Sequence, residues 1–209
     1  MNPDASAYRL CLVTDRALAG GRPLVDVVAA AVAGGVTMVQ LREKTATTRA
    51  FLEEARALKA LLAPLGVPLV VNDRVDIALA VDADGVHVGQ TDMPVEQVRA
   101  LIGPGKLIGL SITNAEQMRR EDSSRADYVG VGPLYLQQTK ADASTPLGVD
   151  GFRALRALTT RPVMAIGGLK ADNSAPVLAA GADGLAVVSG IVSAEDPRAA
   201  AARFAALFA

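Results

Sequence analysis

The phrase Ala-Asp-x-apolar-x-Val occurs three times in the chain, as Ala83-Asp84-Gly85-Val86-His87-Val88, Ala126-Asp127-Tyr128-Val129-Gly130-Val131 and Ala182-Asp183-Gly184-Leu185-Ala186-Val187. Each copy follows a turn or helical pattern and opens a short β-branched run, so each marks the start of a strand in a stacked strand–helix unit. Eight such runs can be read, over residues 9–14, 36–42, 68–72, 85–88, 107–111, 128–131, 163–166 and 184–188. Stretches with helical spacing lie between them, among them 49–63, 95–102, 149–158 and 198–208. Alternation of strand and helix predicts a parallel sheet. Eight units in 209 residues leave about 26 residues each, and closed (β/α)8 barrels begin at roughly 200 residues.

An open doubly wound sheet is the competing layout. Its dinucleotide-binding form carries Gly-x-Gly-x-x-Gly after the first strand, whereas this chain has Asp15-Arg16-Ala17-Leu18-Ala19-Gly20-Gly21 there. No low-complexity segment or linker divides the chain. The sequence therefore predicts an α/β protein with a single (β/α)8 TIM barrel over residues 1–209. Thr48, Thr113-Asn114 and Asp172-Asn173 are expected helix N-caps, and Pro94 a helix start. Gly34-Gly35, Gly66 and Gly181 are expected to end helices where a left-handed residue is needed.

Composition narrows the function. Apolar residues make up 51% and charged residues 21%, enough for a core and too apolar for global disorder. The net charge of −1 lacks the basic surplus of a nucleic-acid binder, and 3% aromatics with no Trp leave few stacking platforms for single strands. The longest run without an Asp, Glu, Lys or Arg, Val27 to Leu41, is 15 residues, short of the ~18 that span a membrane. Neither a nucleic acid nor a membrane is expected as partner, and the N-terminus does not resemble a secretory signal. The single Cys11 excludes an intramolecular disulfide and suits a reducing cytoplasm; it reads as a small core residue. The single His87 excludes His-rich metal sites and, lying inside a strand, reads as a hydrogen-bonded interior histidine rather than a catalytic base. The sequence leaves the oligomeric state open, a homo-oligomer included.

In a barrel, chemistry gathers at the C-terminal ends of the strands. Polar residues and glycines gather there in this sequence: Gln40-Leu41-Arg42-Glu43-Lys44, Asn72-Asp73, Gly89-Gln90-Thr91-Asp92, Ser111, Gly132-Pro133 with Thr139-Lys140 beyond, Gly167-Gly168 and Ser189-Gly190. Two subsites separate. Gly167-Gly168 and Ser189-Gly190 offer bare backbone N–H groups and a helix start, the usual phosphate cradle of a barrel; the alternative is that they are only tight turns. Gln40 and Arg42 are two apart and share a face, with Lys44 beyond and Lys140 entering from the sixth-strand loop. Such cations suit an anion carrying more charge than a phosphate monoester. Asp73 and Asp92 beside them fit a hard divalent ion, most naturally Mg²⁺. The alternative is that these charges pair as surface salt bridges while Gln40 fills a barrel layer. Glu43 is expected to face solvent or to support Arg42 and Lys44. The long segment 133–148 is expected to be functional, in the manner of a lid.

Val39-Gln40-Leu41-Arg42-Glu43-Lys44, Val71-Asn72-Asp73-Arg74, Gly85-Val86-His87-Val88-Gly89-Gln90-Thr91-Asp92, Thr139-Lys140 and Ala165-Ile166-Gly167-Gly168, in that order, resemble the thiamine-phosphate synthase (thiamine-phosphate pyrophosphorylase) family. The resemblance runs from about Tyr8 to Ser189. It implies a (β/α)8 transferase that joins 4-amino-2-methyl-5-hydroxymethylpyrimidine diphosphate to a thiazole phosphate, or its 2-carboxy form, releasing pyrophosphate. By motif, Gln40 would hold the aminopyrimidine, and Arg42, Lys44, Asn72 and Lys140 the diphosphate. Asp73 and Asp92 would ligate Mg²⁺, and Ser111 would sit near the leaving pyrophosphate. Thr139 would touch either phosphate, and Gly168 with the backbone at Val188 and Ser189 would bind the thiazole phosphate. Arg42, Lys44, Ser111 and Lys140 would be the catalytic set. The chain departs from the family at Gln137, where a hydroxyl residue is usual. Two other readings remain: an isomerase on the same scaffold, which would not need Arg42, Lys44, Asp73 and Asp92, and a catalytically silent phosphate-ligand binder.

Overall fold

The computed structural model describes residues 5–136 and 145–209. Eight strands, β1 Leu10–Val13, β2 Met38–Leu41, β3 Leu69–Asn72, β4 Gly85–Val88, β5 Leu107–Ile112, β6 Tyr128–Val131, β7 Val163–Ile166 and β8 Gly184–Val187, pair in sequence order and close into a barrel. Every pairing is parallel, β8 to β1 included. The strands are buried on both faces, so they read as unbroken apolar runs. Outward residues such as Leu12, Val39, Val71 and Val129 pack under the helices, against Phe51, Leu58, Phe152 and Phe204. Inward residues Cys11, Met38, Val70, Leu107, Tyr128, Met164 and Ala186 form a second, interior core.

The recurring Ala-Asp phrase has a structural cause. Asp84 Oδ2 accepts the Leu69 N–H at 2.9 Å, Asp127 Oδ2 the Ile108 N–H at 2.7 Å, and Asp183 Oδ2 the Val163 N–H at 2.8 Å. Each Asp N–H also donates to the carbonyl of that same residue. Thr37, preceding β2, repeats both bonds to Leu10. Four buckles therefore bind the entries of β1, β3, β5 and β7 to the turn before the next strand. Lys59, Arg99 and Arg156, from the helices that precede β3, β5 and β7, pair with the three carboxylates. The barrel is built of four βαβα quarters, each fastened at its N-terminal end by the same device.

The helices follow the expected spacing: Thr48–Leu62, Val95–Ile102, Gly148–Arg156 and Pro197–Ala205. Asn114 caps its helix through the Gln117 N–H, and Pro94 precedes Val95. Gly35, Gly66 and Gly181 take positive φ. Two caps differ from expectation. Thr47 rather than Thr48 accepts the Ala50 N–H. At the seventh loop Ser174 is the capping position, and Asn173 instead closes the loop by accepting the Lys170 N–H. Among the described residues no helix is long and apolar enough to cross a membrane.

Candidate active site

The barrel interior changes character along its axis. Its N-terminal half is apolar; toward the C-terminal ends the inward positions become Gln40, Asn72, His87 and Ser111. Register places His87, Gly109 and Tyr128 side by side on β4, β5 and β6. Gly109 leaves its inward slot vacant, and a Cβ there would overlap the Tyr128 ring and His87 Nδ1. Across that slot His87 Nδ1 lies 3.0 Å from Tyr128 Oη, and Nε2 lies 2.9 Å from Ser111 Oγ. Burial pushes the His87 pKa down to about 4, with the Asp92 charge opposing only in part. The ring is neutral at pH 7, as expected of an interior histidine. Sequence reading missed Tyr128, although the alternation Tyr128-Val129-Gly130 marks it as inward-facing.

Arg42, Lys44, Asp73 and Asp92 all stand on the rim just beyond β2, β3 and β4. Arg42 is held there by its N–H bond to Thr14 Oγ1, 3.0 Å, and its guanidinium is 3.4 Å from Asp15 Oδ2. Lys44 Nζ is 2.5 Å from Asp73 Oδ2. Asp73 takes a left-handed φ of 63°, rare for a residue with a side chain, and its N–H donates to the His87 carbonyl at 2.8 Å. That bend aims its carboxylate at Asp92, within hydrogen-bonding reach. Asp92 in turn accepts the Gly89 N–H at 2.7 Å. Burial, joined by the Asp92 carboxylate, raises the Asp73 pKa above 3.8 in spite of Lys44. Two carboxylates thus lie near each other, and the half-exposed Lys44 ammonium pairs with one of them, Asp73.

This donor set fits Mg²⁺. A small hard cation that retains waters and phosphate oxygens needs only one or two protein carboxylates, and Asp73 and Asp92 supply two. Among the described residues no group of three or more His, Cys, Asp or Glu side chains comes together.

Glu43 corrects its expectation. Its side chain is 4% exposed and supports neither Arg42 nor Lys44. It accepts the Thr45 and Ala46 N–H groups and pairs with Arg16, which together outweigh burial and hold its pKa down to about 2. Glu43 shapes the turn that follows β2.

Ser111 lies in β5, and its carbonyl accepts Gln90 Nε2 at 2.7 Å. Asn72 ends β3 opposite His87. Across the rim, Gly167 and Gly168 adopt φ of 103° and 68°. A Cβ on Gly168 would crowd Tyr135 and Leu136, so close approach by the sixth loop also demands glycine there. Val188 packs against the interior core, and Ser189 opens the short helix Ser189–Val192. Arg22, unnoticed in the sequence, donates to the carbonyls of Val192 and Ala194 at the far end of that helix. Thr139, Lys140 and Gln137 lie outside the described residues. Two concavities of about 710 and 400 Å³ open at the N-terminal end, beside Asp127 and Asp183, and hold none of the candidate residues.

Comparison with known proteins identifies the family. Residues 10–191 match the family model described as thiamine monophosphate synthase. A thiamine-phosphate synthase of Albidiferax ferrireducens is 56% identical over 197 residues, covering 94% of this chain and 90% of the relative. One from Chloroflexus aurantiacus is 53% identical over 200 residues, covering 96% and 92%. Among solved structures, thiamine phosphate pyrophosphorylase from Pyrococcus furiosus superposes with a TM-score of 0.87 at 37% identity, covering 97% of this chain and 96% of that one. A matched family model over most of the chain and relatives above half identity establish that the chain belongs to the thiamine-phosphate synthase family of transferases.

Proposed function

We propose that the enzyme joins 4-amino-2-methyl-5-hydroxymethylpyrimidine diphosphate to 4-methyl-5-(2-phosphoethyl)thiazole, or its 2-carboxy form, giving thiamine phosphate and pyrophosphate. The observation that carries this reading is the rim cluster of Lys44, Asp73 and Asp92 beside Arg42, standing directly above the polar interior of Gln40, His87 and Ser111. An isomerase or a plain phosphate binder has no use for the cluster.

Gln40 lies on the floor on which the aminopyrimidine rests. Arg42, Lys44 and Asn72, with Lys140 as its motif implies, would bind the diphosphate, and Ser111 meets the bridging or terminal oxygens as they leave. Asp73 and Asp92 would hold Mg²⁺, which when bound neutralises charge on the departing pyrophosphate. The Lys44–Asp73 pair is half exposed on the lysine side; exposed pairs are worth only about 1 kcal/mol or less. Lys44 is therefore free to exchange its carboxylate for a phosphate. Charge neutralisation aimed at the developing anion lowers the barrier to C–O cleavage. The pyrimidine methylene cation left behind is captured by the thiazole nitrogen, whose phosphate sits at Gly168, Val188 and Ser189, with Thr139 nearby. The segment 133–148 would keep water out during that interval. A cytoplasmic setting suits the buried thiol of Cys11.

The test is pyrophosphate release on mixing the two substrates with purified enzyme. Release is expected only when both are present and Mg²⁺ is supplied, and chelation should stop it. Release that ignores the thiazole phosphate, or none at all under these conditions, rejects the assignment.

A further inference from the structure

Asn173 has no part in the reaction as proposed, yet each of its polar groups is committed. Its N–H donates to the Lys170 carbonyl at 3.2 Å, and its carbonyl accepts the Tyr135 hydroxyl at 3.0 Å. Its side-chain Oδ1 accepts the Lys170 N–H at 2.8 Å, and Nδ2 donates to the Gly168 carbonyl at 3.0 Å. These partners fix which way the amide faces, because a backbone N–H only donates and a carbonyl only accepts. Beside it the Gly167 carbonyl accepts the Tyr135 N–H at 3.1 Å. Asn173 and the sixth loop thus hold two successive carbonyls of the seventh loop.

A trans peptide is planar, with its N–H opposed to its C=O. Holding the Gly167 carbonyl therefore aims the Gly168 N–H the other way, and holding the Gly168 carbonyl does the same for the Leu169 N–H. Neither N–H has an acceptor among the described residues. Leu169 is buried, and an unpaired N–H in a buried residue calls for a partner. The glycines do not choose this arrangement themselves. At φ of 103° and 68°, Gly167 and Gly168 lack the Cβ that would oppose rotation of the peptide between them. A flipped peptide would turn a carbonyl oxygen outward and repel an anion.

We propose that Asn173 is a positioning residue which, with the Tyr135 N–H, locks these two peptides so that the Gly168 and Leu169 N–H groups stand ready for a phosphate monoester. Successive N–H groups in such a turn make an anion-binding concavity. The identity of the ester, the thiazole phosphate, rests on the proposed reaction; the orientation of the two amides does not. A residue that served the fold alone would, when loosened, disturb both substrates alike. The lock acts on one, because the diphosphate is assigned to Arg42, Lys44 and Asn72 across the rim.

Asn173→Asp keeps the acceptor for Lys170 and replaces the Nδ2 donor by an oxygen that repels the Gly168 carbonyl. KM for the thiazole phosphate should rise by about tenfold or more, while KM for the pyrimidine diphosphate stays within about twofold. Asp172→Asn changes the charge of the exposed neighbour without touching the lock, and should leave both KM values within about twofold. Equal rises for the two substrates in Asn173→Asp, or no rise, overturn the proposal. The second arm needs no variant. In ¹⁵N-labelled, ligand-free wild-type protein, the Gly168 and Leu169 amide signals should both shift on titration with inorganic phosphate, while that of Gly105 stays in place. Amides that do not move overturn the proposal. Shifts in a protein that releases no pyrophosphate would reject the proposed reaction and leave the lock standing; unmoved amides in an active enzyme would reject the lock alone.

Discussion

One methyl group tests the interior argument. In Gly109→Ala the added Cβ would fall inside the van der Waals surfaces of Tyr128 and His87 Nδ1. Neither ring can retreat, since both are buried and Tyr128 is wedged against Tyr8 with centroids 5.5 Å apart. Overpacking of this kind costs about 1–3 kcal/mol. Prising the rings apart also breaks a buried hydrogen bond and strands its partners, about 1–3 kcal/mol more. A total of roughly 2–6 kcal/mol corresponds to a Tm lowered by about 4–24 °C in a domain of this size. Gly105→Ala is the matched control, because nothing lies within 4 Å of its Cβ position; it should stay within about 0.5 kcal/mol of wild type. Urea unfolding at fixed protein concentration, reading the midpoint and slope of each variant, measures both. Equal midpoints for Gly109→Ala and Gly105→Ala would refute the claim that a vacant slot brings His87 to Tyr128.

Acid sensitivity offers a second check. The folded His87 pKa of about 4 lies below the ordinary 6.5, so the stability this residue holds above pH 6.5 is lost as pH falls from 6.5 toward 4. At 1.36 kcal/mol per pKa unit that is about 3 kcal/mol, and His87→Gln should lose that much less than wild type between pH 7 and pH 4; parallel losses would contradict the burial argument. Asp92→Asn relieves the crowding on Asp73 and should leave the Tm in magnesium-free buffer equal or higher, while Mg²⁺-dependent turnover drops about 10²-fold; retained turnover would remove Asp92 from the site. Asp127→Ala strips the Ile108 N–H and Arg99 of their partner. It should cost about 2–4 kcal/mol in denaturant unfolding, with activity per folded molecule unchanged because the buckle lies at the opposite end of the barrel.

How much could be read from sequence depended on the range of the interaction. The strands at residues 85–88 and 128–131 match expectation to the residue, because apolar runs opened by Ala-Asp are local signals, and the strand at 163–166 matches as well. The first two strands are shorter than expected: Thr37 spends its hydroxyl on the β1 entry, and Arg42 bonds Thr14 instead of extending a ladder. The rim residues were visible as polar interruptions at strand ends. Their pairings were not. Arg42 meets Asp15, 27 positions away, and His87 meets Tyr128 only because Gly109 stands aside. Glu43 looked like a solvent charge because sequence shows the carboxylate and hides the Thr45 and Ala46 N–H groups that the turn folds back onto it.

The carboxylates near strand ends fall into two populations, and the difference separates stability from chemistry. Asp84, Asp127 and Asp183 each receive a backbone N–H and a cation at the N-terminal end of the barrel. Each is occupied in fastening the fold, and their spacing repeats because the quarters repeat. Asp73 and Asp92 at the C-terminal end follow no repeat. They face each other, and the lysine that approaches Asp73 does not bring its pKa back to the ordinary value. Folding alone gives no reason to hold two like charges in contact on a strained φ. A third party of positive charge does, and the residues around the pair are those that would receive a diphosphate carrying it.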